Sequence, residues 1–363
     1  MKLVSEKLKG YRNIDCAEFI PYPGVTVICG ENGQGKTNLL ESIFLLTGAK
    51  SFRKVKDKDL IRKNSEGFSV IDASFYLEGR EQSIHLSITE TGRKASLNKG
   101  AEKKASSLVG KFKSVIFSPE HLSLVKGSPQ ERRTFLDTAL CQISPKYLEN
   151  LREYTRLVDQ KNSLLKDARN ISAAFDMMDI YDEKIAETAS FIASEREKFI
   201  EKMREYAGEA YSSISENREK LNLEYSSTVY SEGYEKENIL EIIRNSRNDD
   251  IRSGFCTVGI HRDDMNVFLD GENAKTFGSQ GQQRTAVLAM KLAEAEVFSK
   301  YDGEEPVLLL DDVLSELDGS RQEFLLKRLG KVQAVITCCE PSFIEKRTDA
   351  EIYKMKSGVL SKL

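Results

Sequence analysis

The pattern of apolar and polar positions changes twice along the chain, and it first predicts strands. Residues 25–29 form a short β-branched run that ends at a glycine, as a buried central strand does. Apolar residues then recur at helical spacing over 37–47, and further strands are predicted at 68–77, 82–89 and 113–117. The first third of the chain therefore predicts a strand-rich region with a helix directly after a buried strand.

Helical periodicity replaces the strand signals from Pro119 to about Asn217. The longest apolar seam alternates steps of four and three residues and comprises Ile185, Ala189, Ile192, Arg196, Phe199, Met203, Tyr206 and Ala210. A period of about 3.5 residues is typical of a coiled coil, here interrupted by Arg196. Two helices joined near residues 170–172 would make an antiparallel hairpin arm. An ordinary bundle packed on the core accounts for the pattern equally well.

Strand-like segments return after Leu221 and again alternate with helices. A strong helix is predicted over 280–299, with buried strands at 307–310 and 332–337. Strands alternating with helices at both ends of the chain predict an α/β core that a helical insertion interrupts. The predicted segments are 1–118 and 218–363 for the two parts of the core and 119–217 for the insertion.

Composition narrows the class of protein. The chain has 363 residues, 40 % hydrophobic and 31 % charged, which suits a globular protein of two or three domains. No apolar run approaches the roughly 20 residues that cross a bilayer, and the first residues are charged where a signal peptide is apolar. Six scattered cysteines without a CxxC pair predict reduced thiols. We therefore expect a cytoplasmic protein without a membrane partner.

The net charge of −3 conceals two basic stretches. Residues 50–63 hold seven Lys or Arg against two Asp, and residues 93–113 hold seven against one Glu. Because binding follows the local field, a near-neutral total does not exclude a polyanionic partner. A solvated surface of mixed charge is the plainer interpretation.

Residues 30–37 match the phosphate-loop pattern G-x-x-x-x-G-K-[ST] at every fixed position. The glycines let backbone N–H groups approach phosphate oxygens, Lys36 brings positive charge to the terminal phosphates, and the Thr37 hydroxyl can bind Mg²⁺. The loop lies between a predicted strand and a predicted helix, whose N-terminus favours an anion. A merely glycine-rich turn is the weaker alternative.

Two carboxylates, Asp311 and Asp312, follow the apolar run 307–310. In P-loop proteins the equivalent strand runs beside the phosphate loop, so Asp311 can reach the Mg²⁺ shell. Asp312 would then orient or deprotonate the attacking water. Many buried strands end in aspartate, so the two carboxylates indicate a hydrolytic site only in combination with the phosphate loop.

Residues 279–282, Ser-Gln-Gly-Gln, stand directly before a predicted helix. Ser279 could simply cap that helix, but capping would not explain the glycine and glutamines that follow. Such a helix start is a second phosphate-facing surface, and one active site does not obviously need two. We expect it to serve a nucleotide bound on another protomer.

These motifs resemble the ABC-type ATPases, and within them the RecF family of bacterial recombination-repair proteins in the SMC-like branch. The resemblance covers nearly the whole chain and also rests on Tyr11-Arg12-Asn13, on the segments 259–264 and 315–318, and on an insertion of only about 100 residues. It implies an α/β fold, an ABC-type P-loop ATPase head with a mixed β-sheet and an inserted coiled-coil-like arm.

The resemblance also implies the site residues of an ATP-dependent head-to-tail homodimer. The nucleotide-binding residues would be Arg12, Asn13, Gly30, Glu31, Asn32, Gly33, Gln34, Gly35, Lys36, Thr37 and Asn38. Lys36, Asp311 and Asp312 would be catalytic, with Thr37 and Asp311 binding Mg²⁺. The partner protomer would bring the signature Ser279, Gln280, Gly281 and Gln282, and the interface loop would be Ser315, Glu316, Leu317 and Asp318.

The function implied by the resemblance is an ATP-driven clamp on double-stranded DNA. It would locate single-strand/double-strand junctions at gaps and work with RecO and RecR to load RecA. Asp312 stands where many ABC ATPases have glutamate, Thr337 and Cys338 stand where a histidine is expected, and residues 118–120 stand where a glutamine is expected. The resemblance implies a DNA-stimulated ATPase, and these departures favour weak hydrolysis that acts as a slow switch.

The basic stretch after the phosphate-loop helix is the expected DNA contact, with Arg53, Lys54, Lys56, Arg62 and Lys63 as candidates. Lys and Arg clusters attract duplex phosphates without reading sequence. No aromatic residues are interleaved as they are in segments that stack single-stranded bases. His261 and Arg262 could contact DNA or nucleotide, and structural salt bridges are an equally good interpretation.

Three other classes of protein share part of this pattern. The ATPase subunit of a transporter usually has far fewer residues between phosphate loop and signature than the roughly 240 here. An SMC-type chromosome-architecture protein would need a much longer coiled coil. A P-loop kinase or GTPase would leave the signature unexplained.

Overall fold

The structure, a computed structural model, describes residues 1–53, 55–63, 65–167, 173–330, 332–345 and 349–363. The strands are β1 (Lys2–Tyr11), β2 (Ile14–Phe19), β3 (Val25–Cys29), β4 (Phe68–Leu77), β5 (Arg80–Thr89), β6 (Gly92–Leu97), β7 (Lys103–Lys104), β8 (Ser114–Phe117), β9 (Leu221–Ser226), β10 (Asp264–Leu269), β11 (Glu272–Asn273), β12 (Val307–Asp311), β13 (Ala334–Cys338), β14 (Ala350–Lys356) and β15 (Val359–Lys362). The α-helices are α1 (Lys36–Leu45), α2 (Ser123–Lys126), α3 (Pro129–Ile143), α4 (Pro145–Asp167), α5 (Ala173–Ile214), α6 (Lys236–Asn245), α7 (Arg247–Ser253), α8 (Ala274–Phe277), α9 (Gln280–Asp302), α10 (Gly319–Leu329) and α11 (Ser342–Glu345). The predicted strands and helices are confirmed, with ends that differ by a few residues.

The chain divides into two compact units, and the division differs from the one expected from sequence. Unit 1 comprises residues 1–121, 212–217 and 287–363, and unit 2 comprises residues 122–211 and 218–286. Residues 218–286 were expected to belong to the ATPase core. In the structure they form one unit with the inserted helices, and their charged side chains form buried ion pairs with those helices.

Unit 1 contains two six-stranded sheets. One is antiparallel, in the order β2-β1-β4-β5-β6-β7, and the other has the order β15-β14-β3-β13-β12-β8, in which only β15 runs antiparallel to its neighbour. Strands β3 and β13 are buried at every position, and β12 at all but its last. Parallel strands covered on both faces need such continuous apolar runs. The predicted mixed sheet is therefore confirmed.

Helix α1 packs on the hydrophobic core that the two sheets of unit 1 share. Its fully buried Leu39, Leu40 and Ile43 belong to one cluster with residues of both sheets. The helix begins directly after the phosphate loop, with Gly35 in the left-handed conformation at its N-cap. The core therefore fixes the position of the loop through the helix that follows it.

Unit 2 combines the inserted helices with the three-stranded antiparallel sheet β11-β10-β9. The predicted seam of α5 is buried except at the half-buried Tyr206, and Arg196 within it is 1 % exposed. Its guanidinium lies 2.7 Å from the Asp137 carboxylate and 3.7 Å from that of Asp263. Such a buried charge is tolerated because it is paired and hydrogen-bonded. Arg196 therefore links α5 to α3 and to the segment before β10.

A second buried group of charged side chains links the two long helices of unit 2. The Lys161 ammonium on α4 lies 2.8 Å from Asp182 on α5 and 3.0 Å from Asp250 on α7. All three side chains are at most 1 % exposed. These contacts support the interpretation of a packed bundle for the described parts of both helices. The connection predicted near 170–172 lies outside the described residues.

No helix in the described ranges combines the length and the apolar character that crossing a bilayer requires.

One carboxylic acid lies inside the core of unit 1. Glu6 on β1 is fully buried, and burial raises the pKa of its carboxyl to about 8, against a smaller lowering by the Ser42 side chain. The folded protein therefore retains a proton on Glu6 at neutral pH that the unfolded chain releases near its ordinary pKa of 4.5. The contribution of Glu6 to protein stability therefore falls as the pH rises between these two values.

We predict that Glu6→Gln removes this pH dependence. The group should lower the free energy of unfolding of the wild type by about 1 kcal/mol per pH unit between roughly pH 5 and 8, and the neutral amide cannot titrate. Urea unfolding of both proteins across this range measures the effect. Exposed Glu81→Gln is the control, and parallel pH profiles for wild type and Glu6→Gln would contradict the prediction.

Candidate nucleotide-binding site

The phosphate loop joins β3 to α1 in a conformation that needs its glycines. Gly30 and Gly35 have φ values of 149° and 116°, in the region that side chains rarely adopt. A Cβ at Gly30 would lie 2.4 Å from the Met355 carbonyl oxygen, and one at Gly35 would lie 2.8 Å from Asn13 Oδ1. Both glycines are therefore required by the close approach of other segments and by the backbone turn.

Lys36 lies at the mouth of this loop. Its ammonium group donates to the Gly30 carbonyl and, at 3.0 Å, to that of Glu31, and the residue is 7 % exposed. The amine is therefore held over the loop rather than extended into solvent. The positive charge of Lys36 would therefore lie next to a phosphate group bound by the loop.

The carboxylate of Asp311 links the phosphate-loop helix to the sheet. The hydroxyls of Thr37 and Thr337 both donate to Asp311 Oδ1, at 2.8 Å and 3.0 Å. Burial raises the pKa of Asp311, and these two hydrogen bonds oppose the rise. Thr37, Asp311 and Thr337 come from α1, β12 and β13, so three elements meet at one carboxylate.

Asp312 is held in an unusual backbone conformation beside Asp311. Its φ is 52°, and its backbone N–H donates to Thr337 Oγ1 at 3.0 Å. Its carbonyl accepts from Ser315 Oγ at 2.7 Å, at the start of the candidate interface loop. That loop ends where Asp318 caps α10 by accepting from the Arg321 N–H. Ser315 and Asp318 are exposed, whereas Leu317 is buried.

Thr337 is a functional candidate that the sequence pointed to only as the replacement of an expected histidine. One hydroxyl donates to Asp311 and accepts from the Asp312 backbone, so it orients both carboxylate-bearing residues. The neighbouring Cys338 cannot take the place of a histidine in proton transfer, because burial raises its pKa to about 12. The signal in the sequence was a threonine at the end of the third predicted buried strand, 332–337.

Asn13 contacts the phosphate loop, and Arg12 contacts the helix that follows it. The Arg12 guanidinium donates twice to the buried Glu41 carboxylate, at 2.9 Å and 2.7 Å, and the Tyr11 hydroxyl donates to the same group at 3.0 Å. Asn13 donates to the Gln34 carbonyl at 3.0 Å and accepts from Asn38 at 2.8 Å. Sequence reasoning missed Glu41, which no local pattern distinguishes from other helical glutamates.

The turn between β14 and β15 supports the phosphate loop from the far end of the chain. Ser357 donates its backbone N–H to Gln34 Oε1 at 2.6 Å, and Gly358 donates to the Gln34 carbonyl at 2.9 Å. Gly358 has a φ of 79°, and a Cβ there would lie 2.2 Å from the Asn13 carbonyl oxygen. Sequence reasoning missed this contact, and the glycine in a Ser-Gly turn was its only signal.

Two of the candidate DNA contacts are engaged at the nucleotide site. Arg53 donates to Asn38 Oδ1 at 2.9 Å and is close enough to Asp311 to lower its pKa slightly. Arg62 donates to the Asn13 carbonyl at 3.1 Å. The exposed members, Lys56 and Lys63, remain available, and Lys54 lies outside the described residues. The basic stretch was predicted to form one surface. In the structure, some of its side chains are engaged at the nucleotide site and others are exposed.

The signature at the start of α9 forms a reciprocal cap. The Gln282 side chain accepts from the Ser279 N–H at 2.7 Å, and Ser279 Oγ accepts from the Gln282 N–H at 3.3 Å. The expectation that capping would leave both glutamines unexplained is wrong for Gln282. Ser279 and Gln280 are exposed, and Gly281 is half-buried.

The segment 259–264 is occupied by contacts within unit 2. His261 Nδ1 lies 2.7 Å from the Tyr154 hydroxyl, and Arg132 contacts both oxygens of the Asp264 carboxylate, at 2.6 Å and 2.8 Å. The Asp263 carboxylate accepts from Tyr225 at 2.5 Å. The structural interpretation of this segment is therefore favoured over direct contact with DNA or nucleotide.

Comparison with known proteins places these motifs in a family. The chain matches the RecF/RecN/SMC N terminal domain over residues 2–360. The DNA replication and repair protein RecF of an Exiguobacterium species is 40 % identical over 99 % of this chain and 98 % of its own length. RecF of Listeria innocua is 40 % identical over the full length of both.

Solved structures agree with this placement. A structure of the recombination mediator protein RecF with ATP, from the RecFOR pathway, has a TM-score of 0.91 at 32 % identity and covers 100 % of this chain and 97 % of its own. An Smc head domain from Pyrococcus furiosus shares the fold, with a TM-score of 0.56 at 17 % identity over 100 % of this chain and 96 % of its own. The predicted ABC-type ATPase head is confirmed.

Thr337→Val should impair the site more than Thr337→Ser. Valine leaves the Asp312 N–H without its acceptor and removes one donor from Asp311, a loss of about 1–3 kcal/mol that corresponds to about 5- to 150-fold in turnover. The effect is measured as the rate of ATP hydrolysis and as the rise in melting temperature that Mg-ATP produces. If serine and valine have equal effects, the hydroxyl does not position these carboxylates.

Gly358→Ala should weaken ATP binding by about tenfold, because the added methyl pushes the turn away from Asn13 and Gln34. Gly79→Ala is the matched control, since Gly79 also has positive φ (73°) but has open space around the position of a Cβ. Calorimetric titration with ATP distinguishes them. Equal affinities for the two variants would exclude a role for the turn in nucleotide binding.

Proposed function

The chain belongs to the RecF family, and on that premise we propose that it is an ATP-dependent DNA-binding protein of recombinational repair and replication-fork recovery. The observation that carries the proposal is the junction of Thr37, Asp311 and Thr337 beside the phosphate loop. A purely structural head would not need a half-buried carboxylate held between two hydroxyls at the end of a strand. A nucleotide-hydrolysing head does.

The proposed cofactors are ATP and Mg²⁺. The donor set fits the metal, because Mg²⁺ prefers oxygen ligands and Thr37 and Asp311 present a hydroxyl and a carboxylate oxygen 2.8 Å apart. Bound Mg²⁺ neutralises charge on the phosphates. Lys36 supplies the fixed positive charge, and Asp312 orients the attacking water.

We propose that ATP assembles a head-to-tail homodimer. The exposure of Ser279 and Gln280 at the start of a long helix supports this, because such a helix end favours a phosphate and these residues are accessible to a second copy. The exposed Ser315 and Asp318 would contact the partner. Nucleotide state would then control dimerisation.

The proposed partners are double-stranded DNA, above all at single-strand/double-strand junctions, together with RecO and RecR and, through them, RecA. The RecFOR pathway named for the similar structures supports the two protein partners. Hydrolysis in the cytoplasm would be weak and DNA-stimulated, since Asp312 is shorter than the glutamate of faster enzymes and Thr337 replaces a histidine. Slow hydrolysis would release the clamp.

The test of this proposal is ATP-driven dimerisation. Mg-ATP should double the mass in light scattering, and Lys36→Met or Ser279→Arg should abolish the change, because they disable opposite halves of the site. Asp312→Asn should trap the dimer by blocking hydrolysis. A wild type and an Asp312→Asn variant that both stay monomeric in saturating Mg-ATP would exclude the scheme.

A further inference from the structure

The second basic stretch of the chain forms an exposed hairpin in unit 1. It consists of β6, the edge strand β7 and their connecting turn, and it carries Lys94, Lys99, Lys103 and Lys104, which we name the lysine hairpin. All four side chains are exposed. None of the four ammonium groups forms an ion pair or a hydrogen bond with another described residue.

The strand register places two of these charges against each other. Lys94 on β6 is directly opposite Lys104 on β7. Side chains at such positions share one face of the sheet, with Cβ atoms about 5 Å apart, and like charges there are destabilising. In the free protein this lysine pair lowers the stability of the sheet. A bound polyanion would attract both ammonium groups and offset their mutual repulsion.

Basic residues on the two rows of this face that run from the hairpin and beside it have carboxylate partners. The register continues from Lys94 through Ser87 and Val70 to Lys9, which pairs with Glu66 at 3.2 Å. On the adjacent row Lys7 pairs with Glu18 at 3.1 Å, and His85 with Asp72 at 2.7 Å. Uncompensated positive charge is thus concentrated at the β6–β7 end of the face.

We propose that the lysine hairpin contacts the phosphate backbone of double-stranded DNA. The inference rests on the proposed DNA-binding function and moves its surface away from Arg53 and Arg62, which are engaged at the nucleotide site. Lysines are suited to backbone contact because they act as point charges without reading bases. Binding should relieve the repulsion between Lys94 and Lys104 and stabilise the edge of the sheet.

The alternative is that the lysines only protect an edge strand from aggregation. Charge of either sign would serve that purpose, whereas DNA requires positive charge. The decisive variant is therefore Lys94→Glu/Lys104→Glu, which keeps the edge charged. Lys94→Gln/Lys104→Gln accompanies it, and Lys300→Gln/Lys327→Gln, at exposed lysines paired with glutamates, is the control of equal charge change.

Duplex affinity with Mg-ATP is measured by fluorescence anisotropy between about 50 and 200 mM salt. The Gln pair should bind duplex DNA about tenfold more weakly, and equally so for unrelated sequences. The slope of log affinity against log salt should become shallower by about 1.8, at 0.9 per lysine. The Glu pair should bind more weakly still, with ATP affinity unchanged in both. The control should bind as the wild type does.

Two results separate the inference from the function on which it rests. If the wild type binds duplex DNA and both hairpin variants match the control, the lysine hairpin is not the contact. If the wild type itself does not bind duplex DNA in any nucleotide state, the proposed function fails. Loss of binding in the Gln pair with normal binding in the Glu pair would assign the lysines to edge protection.

Discussion

The structure of the site depends on one carboxylate, Asp311, which accepts hydrogen bonds from Thr37 and Thr337. Strands β3, β13 and β12 are adjacent and parallel, with Thr337 in register with both Ile28 and Asp311. Their carboxyl ends therefore reach the same edge of the sheet, where ligands bind in open α/β sheets. The order of the strands brings together residues that are about 300 positions apart in the sequence.

The remaining contacts hold the phosphate loop against this edge. Asn13 and the Ser357-Gly358 turn both bond to Gln34, and Glu41 fixes Arg12 and Tyr11 next to them. The loop is thus supported from its own helix, from the first hairpin and from the last. We propose that this half of the site is organised before a partner arrives, so that assembly needs only the signature of a second copy. Pre-organisation of this kind lowers the cost of binding.

The sequence was informative where a motif is local. The phosphate loop, the strand ending at Asp311 and the seam of α5 each have a pattern within about 30 residues, and the elements that carry them are confirmed. The Gln34 contacts with the last hairpin were not predictable, because a turn glycine carries no information about a loop more than 300 residues away. Arg53 and Lys56 look alike in sequence, yet one is engaged with Asn38 and the other is exposed. The buried ion pairs of Arg196 with Asp263 and of Lys161 with Asp250 cross the predicted boundary at residue 217, and no local pattern indicates such contacts.

The central claim is that each hydrolytic site is completed by a second copy of the chain. Its most direct test is the specific ATPase activity of the wild-type protein measured over a wide range of protein concentration with saturating Mg-ATP. We expect activity per molecule to rise with concentration, to reach a plateau as dimers form, and to stay low throughout for Ser279→Arg. A specific activity that is constant down to the most dilute sample would contradict it, because a single molecule would then be sufficient.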